Sequence, residues 1–161
     1  MSILSIIGLN NRAAYHLFLY SLNFGGSIFH SFLLSPMAFK YLPKQEFGNL
    51  QNKVFPIYFV GQAILPILLA LTSPLKSCPF TAGLLSTSGL CGAINFLVLL
   101  PLTQKVINER HNLAKDQKSE TKEMHDATKV FGIYHGISSL LNLFSIISLG
   151  LYGSALSRRL V

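Results

Sequence analysis

Four stretches of this chain run without a single Lys, Arg, Asp or Glu: 13–39, 54–75, 79–102 and 130–156. Each is as long as the ~20 residues of helix that a bilayer's hydrocarbon core requires. A helix meets that demand because it pairs its backbone N–H and C=O groups within the segment, leaving none to face lipid. The chain is therefore expected to be an all-α membrane protein. It reads as a single domain over 1–161, a four-transmembrane-helix bundle.

The remaining sequence supports that division. Hydrophobic residues make up 50% of the chain and charged residues only 12%, about half the charged fraction of a soluble domain. The formal charge of +7 would suggest a nucleic-acid partner in a soluble protein. Here the basic residues stand between apolar blocks, so they read as bilayer flanks and no nucleic acid is expected. Ser73 to Cys78 is short enough to predict a tight antiparallel hairpin of the second and third spans. Thr103 to Lys129 contains no Gly or Pro. It places opposite charges one helical turn apart, as in Lys105 with Glu109 and Lys122 with Asp126, which predicts a charged helical loop prolonging the flanking helices.

Arg158 and Arg159 close the fourth span, where they can reach the headgroups. Ser2 to Leu9 has no basic start and leads into a full-length span, so the start is expected to be retained rather than cleaved as a signal peptide. Arg12, Lys76, Arg158 and Arg159 fall on one side of the membrane, and the other nine of the 13 Lys and Arg on the opposite side. Cations collect on the cytosolic side, which predicts both termini outside the cytosol. Cys78 and Cys91 would lie about 20 Å apart on a helix, too far for a disulfide.

Polar residues inside the spans recur on one face of each. His16, Tyr20, Asn23, Ser27 and His30 follow steps of three and four along the first. His135, Ser138, Ser139, Asn142 and Ser145 do so along the fourth, with Tyr58 and Gln62 on the second and Ser88, Gly92 and Asn95 on the third. Each span carries one mid-depth carboxamide: Asn23, Gln62, Asn95 and Asn142. Lipid-facing amides at that depth are costly, so a polar seam at the bundle centre is expected, built from His16, Asn23, His30, Gln62, Asn95, His135, Ser138, Ser139 and Asn142.

Two readings of the seam stay open. It is interhelical glue, with Gly89 and Ala93, and Gly132 and Gly136, as small-residue pairs that admit close contacts within the chain or in a dimer. Alternatively it is a passage for a small solute or metal, with histidines as proton carriers. A metal site is not expected. His16 and His30 lie about 21 Å apart on one helix, and His30, His135, Cys91 and Met37 are the only soft or borderline donors to recruit. Neither is an enzyme, since Ser138 or Ser139 beside His135 lacks a third group to orient the base, and no cofactor is expected.

Four stretches resemble the transmembrane protein 205 family of small four-span membrane proteins. The first runs from His16 through Phe24-Gly25-Gly26 to Ser31-Phe32 and Pro36, then Phe39-Lys40-x-Leu42-Pro43 and Phe47-Gly48-x-Leu50-Gln51-x-Lys53. The second is Phe55-Pro56-x-Tyr58-Phe59. The third is Asn95 with Leu100-Pro101-x-Thr103, Val106 and Arg110-His111. The fourth is Phe131-Gly132 with His135-Gly136-x-Ser138-Ser139-x-x-Asn142. The absence of Trp departs from the expected interfacial Trp, a role that Tyr15, Tyr41 and Tyr58 can fill. The resemblance implies a multi-pass protein with no agreed enzymatic activity. In some members it carries an association with secretory-pathway membranes and platinum-drug resistance. The expected location is thus the endoplasmic reticulum or another endomembrane, with a mitochondrial membrane as the alternative. The expected partners are the lipid bilayer and either a homo-oligomer or other membrane proteins.

Overall fold

The structure, a computed structural model, describes residues 11–75, 78–116 and 120–158. Ser2 to Leu9, Lys76 and Arg159, which bear on the retained start and on the charge flanks, lie outside the described residues. Four helices carry the fold: α1 (Arg12–Tyr41), α2 (Lys44–Thr72), α3 (Pro79–Lys115) and α4 (Lys122–Ser157), each long and apolar enough to cross a membrane. Among the described residues there is no strand.

The helix ends follow local chemistry. Asn11 caps α1 by accepting from the Ala13 N–H at 3.0 Å, and Thr121 caps α4 by accepting from Met124, as short polar side chains do at N-termini. Leu42 and Ser73 both precede proline and both are extended, because the proline ring disfavours the helical conformation in the residue before it. Pro79 opens α3 in the first turn, where its missing N–H leaves nothing unpaired. Three helices overrun their uncharged spans by a turn or more. α2 begins ten residues before Val54, and α3 and α4 extend to Lys115 and from Lys122, so the charged loop is largely helix.

Two turns depart from α geometry. Phe29–Leu34 in α1 and Asn95–Leu99 in α3 are π-helical, with Ser35 N–H bonded to His30 C=O and Leu100 N–H to Asn95 C=O, five residues back in each case. Pro36 and Pro101 follow at once. A proline ring collides with the carbonyl four residues earlier in a regular helix, and a widened turn moves that carbonyl aside.

Each helix packs beside its neighbour in sequence, and α4 closes the ring on α1. α2 and α3 approach closest at Gly92, where an added Cβ would sit 2.6 Å from the carbonyl carbon of Gln62 and 2.7 Å from the Ala63 nitrogen. The predicted hairpin is thus a backbone-to-backbone contact that only glycine permits. Apolar packing gathers toward one end, around Leu69, Leu85, Leu149, Tyr152 and Leu156. Large apolar side chains such as Phe18, Ile57 and Leu97 point outward, as a lipid-facing surface requires.

The helix pair α1–α2 and the pair α3–α4 echo each other. The inward positions His16, Tyr20, Asn23, Ser27 and His30 of α1 have the same spacing as Thr81, Leu85, Ser88, Gly92 and Asn95 of α3, which are all buried. Each series ends at the residue whose carbonyl accepts the π-type bond. Val54-Phe55-x-Ile57-Tyr58 in α2 is matched by Val130-Phe131-x-Ile133-Tyr134 in α4.

Candidate functional site

Polar side chains from all four helices meet inside the bundle in two clusters. The larger centres on Asn142. Its Oδ1 accepts from the Tyr58 hydroxyl at 2.7 Å and from Gln62 Nε2 at 2.7 Å, and its Nδ2 donates to Ser31 Oγ at 2.8 Å. Gln62 also donates to the Tyr58 oxygen at 3.0 Å. One carboxamide therefore ties α1, α2 and α4. Below it the His30 ring lies 4.3 Å from the Tyr58 ring and edge-on to Phe55. His30 Nε2 is 3.4 Å from Ser35 Oγ, which accepts from Gln51 Nε2 at 3.1 Å. α3 joins through Asn95, donating to the Ser138 carbonyl at 3.3 Å, and through Ser88, paired with Ser145 at 2.8 Å.

The second cluster surrounds His16, which is wholly buried, as is Tyr152. His16 Nδ1 lies 2.9 Å from Thr72 Oγ1, and Nε2 lies 2.9 Å from the Tyr152 hydroxyl, which is 3.0 Å from Ser73 Oγ. Thr72 gives its only proton to the Leu68 carbonyl at 2.8 Å, so it must accept from His16 Nδ1–H. A neutral imidazole has one donor and one acceptor, which makes Nε2 the acceptor for Tyr152. Ser73 then donates to the Tyr152 oxygen while its own oxygen accepts from Leu75 N–H. Every proton in this chain of four side chains points the same way. Arg12 covers the end of it, donating to the Leu71 carbonyl at 2.7 Å in the last turn of α2.

Of the residues expected to form the seam, His16, Asn23, His30, Gln62 and Asn95 are buried, and Ser138 and Asn142 are half-buried. His135 and Ser139 are exposed and lie outside it. At that end of α4 the packed stripe is narrow: Ala127, Phe131, Tyr134 and Ser138 turn inward, and His135 sits on the outer flank, stacked on Phe131 beneath the Arg110 guanidinium. Ser138 offers its carbonyl to Asn95, and among the described residues no three His, Cys, Asp or Glu side chains gather into a metal cage. Neither Cys78 nor Cys91 is in a disulfide. Ser35, Gln51, Thr72, Ser73 and Tyr152 belong to the clusters without having been singled out. Gln51 follows Gln45 and Glu46 in a polar segment ahead of the uncharged block, while Thr72 and Ser73 sit at a turn.

Three buried atoms of the seam have no partner: Asn23 Nδ2, Gln62 Oε1 and Asn95 Oδ1.

Residues 18–112 match the family model described as "Domain of unknown function (DUF4149)". The chain belongs to the DUF4149 family. Among its relatives is "Xanthocillin biosynthesis cluster protein D" of Aspergillus fumigatus, 30% identical, the match covering 94% of this chain and 93% of that protein. Another is an "Uncharacterized protein" of Aquifex aeolicus, 33% identical over 78% of this chain and 81% of that one. No solved structure matches. The DUF4149 match takes in most of α1, all of α2 and α3 almost to its end, so it includes His30, Gln62 and Asn95. Asn142 and Tyr152 lie beyond it.

Proposed function

We propose that this DUF4149 protein is a non-enzymatic, multi-pass component of an internal membrane, acting through lipid or protein contacts on a bundle that its polar seam holds together. One observation carries this reading: the seam's amides, hydroxyls and imidazoles bond directly to one another across helices, with Asn142 joining three of them. Such bonds contribute about 0.6–1.7 kcal/mol each within a membrane. The resemblance to the transmembrane protein 205 family supports a secretory-pathway membrane, with the endoplasmic reticulum first.

A small-solute transporter or channel is the second reading. It is favoured by the one-way chain through His16 and Tyr152 and by the unpartnered amide atoms at mid-depth. Purified protein in liposomes separates the two. Asn142→Leu is expected to lower stability by about 2 kcal/mol, the sum of its interhelical bonds, with no solute or proton flux to lose. Flux in the native protein, abolished by Asn142→Leu or His30→Leu with the fold intact, would refute the first reading.

A further inference from the structure

Gln62 and Asn95 lie at the close approach of α2 and α3 around Gly92. An added Cβ at Gly92 would lie 2.8 Å from the Gln62 Cβ, and Asn95 follows Gly92 by three residues, on the same face of α3. Both side chains spend their nitrogens on α4. Gln62 donates to Asn142 and Asn95 to the Ser138 carbonyl, one turn apart. Those bonds fix the amide orientations and leave neither oxygen a partner on α4. Gln62 Oε1 and Asn95 Oδ1 are buried without a donor, in side chains that are 2% and 0% exposed.

Two buried, unpartnered oxygens, on side chains anchored one turn apart on α4, call for positive charge density. The nearby hydroxyl does not supply it, since Tyr58 gives its proton to Asn142. No Lys or Arg lies within the uncharged stretches 54–75, 79–102 and 130–156. The donors available are amide, hydroxyl and carbonyl oxygens, hard and neutral. A divalent cation draws on carboxylates, which these stretches also lack, whereas monovalent alkali cations are held in membranes by neutral oxygens, often where a helix departs from α geometry. Asn95 opens the π-helical turn of α3.

We propose that Gln62 and Asn95 hold a monovalent alkali cation at the junction of α2, α3 and α4. The site does not depend on whether the protein transports anything: an ion held permanently braces the bundle, and one that exchanges would be cargo.

The test is thermal unfolding of the full-length protein in detergent, titrated with NaCl or KCl while choline chloride keeps the ionic strength constant. A saturable rise in Tm with either alkali ion is expected, because a ligand that binds only the folded state stabilises it. Gln62→Met removes the oxygen and should abolish the rise. Gln62→Glu adds a carboxylate for the ion but loses the Nε2 bonds to Asn142 and Tyr58. Its unfolding without alkali salt should therefore come at a lower Tm, and the rise with NaCl or KCl should be larger than in the native protein, which keeps the test informative if Gln62→Met does not fold. A Tm that is identical in all three salts for both the native protein and Gln62→Glu would mean that the oxygens are served by water alone, and would overturn the proposal.

Discussion

At the level of single residues, the seam is organised by groups that make two or three bonds each, and these are where substitutions should be felt most. Tyr152 is the clearest case. Its hydroxyl fills His16 Nε2 and accepts from Ser73, at a site closed to bulk solvent. Tyr152→Phe keeps the ring in the apolar cluster and strands both partners, so a loss of about 1–3 kcal/mol is expected, read by thermal or denaturant unfolding in detergent. An unchanged stability would mean that the His16 cluster is not closed as described. The first helix advertised its inward residues well, because His16, Asn23, Ser27 and His30 are polar groups in an otherwise apolar stretch and share one face. The same rule misplaced His135 and Ser139. A stripe of polar residues marks a face of the helix, yet how wide a strip is covered depends on where the neighbours sit, and that is a property of packing. Tyr152 and Thr72 were hidden for the opposite reason: near a span end, a Tyr or Thr has an ordinary interfacial role.

Whole helices were the easiest level to read, since uncharged length alone locates a span. Their true ends were less accessible: α2 continues through Gln45, Glu46 and Lys53 because helix propensity does not stop where the hydrocarbon does. Neither π-helical turn was foreseen, although Pro36 and Pro101 inside long helical stretches are its local cause. Glycines divide sharply by setting. Gly92→Ala would drive a methyl group into the Gln62–Ala63 backbone, and overpacking of that kind costs about 1–3 kcal/mol. Gly132 and Gly136 have nothing within 4 Å of an added Cβ. Alanine there should leave the stability of the single chain unchanged or raise it by up to about 1 kcal/mol through better helix propensity. Unfolding of the three variants side by side checks this, and equal losses at all three positions would contradict the helix contacts described.

For the molecule as a whole, the four-helix count, the second-to-third hairpin and the inward polar seam were all legible in the sequence. The pairing of α1–α2 with α3–α4 was also there to be seen, in the repeated Val-Phe-x-Ile-Tyr and in two prolines at matching distances from His30 and Asn95. It became meaningful only when the two π-helical turns fell at equivalent places. Orientation rests on the distribution of cations and predicts termini outside the cytosol. A glycosylation acceptor fused after Val161 should be modified in a microsomal membrane, and an unmodified acceptor with an intact control would reverse the assignment. The central claim is that direct side-chain bonds across helices, with Asn142 at their hub, hold the bundle together. A double-mutant cycle on Tyr58→Phe and Asn142→Leu, followed by unfolding in detergent, measures it most directly. Residues in contact couple, and independent ones add. A coupling of about 0.6–1.7 kcal/mol is predicted, and strict additivity of the two losses would contradict the account.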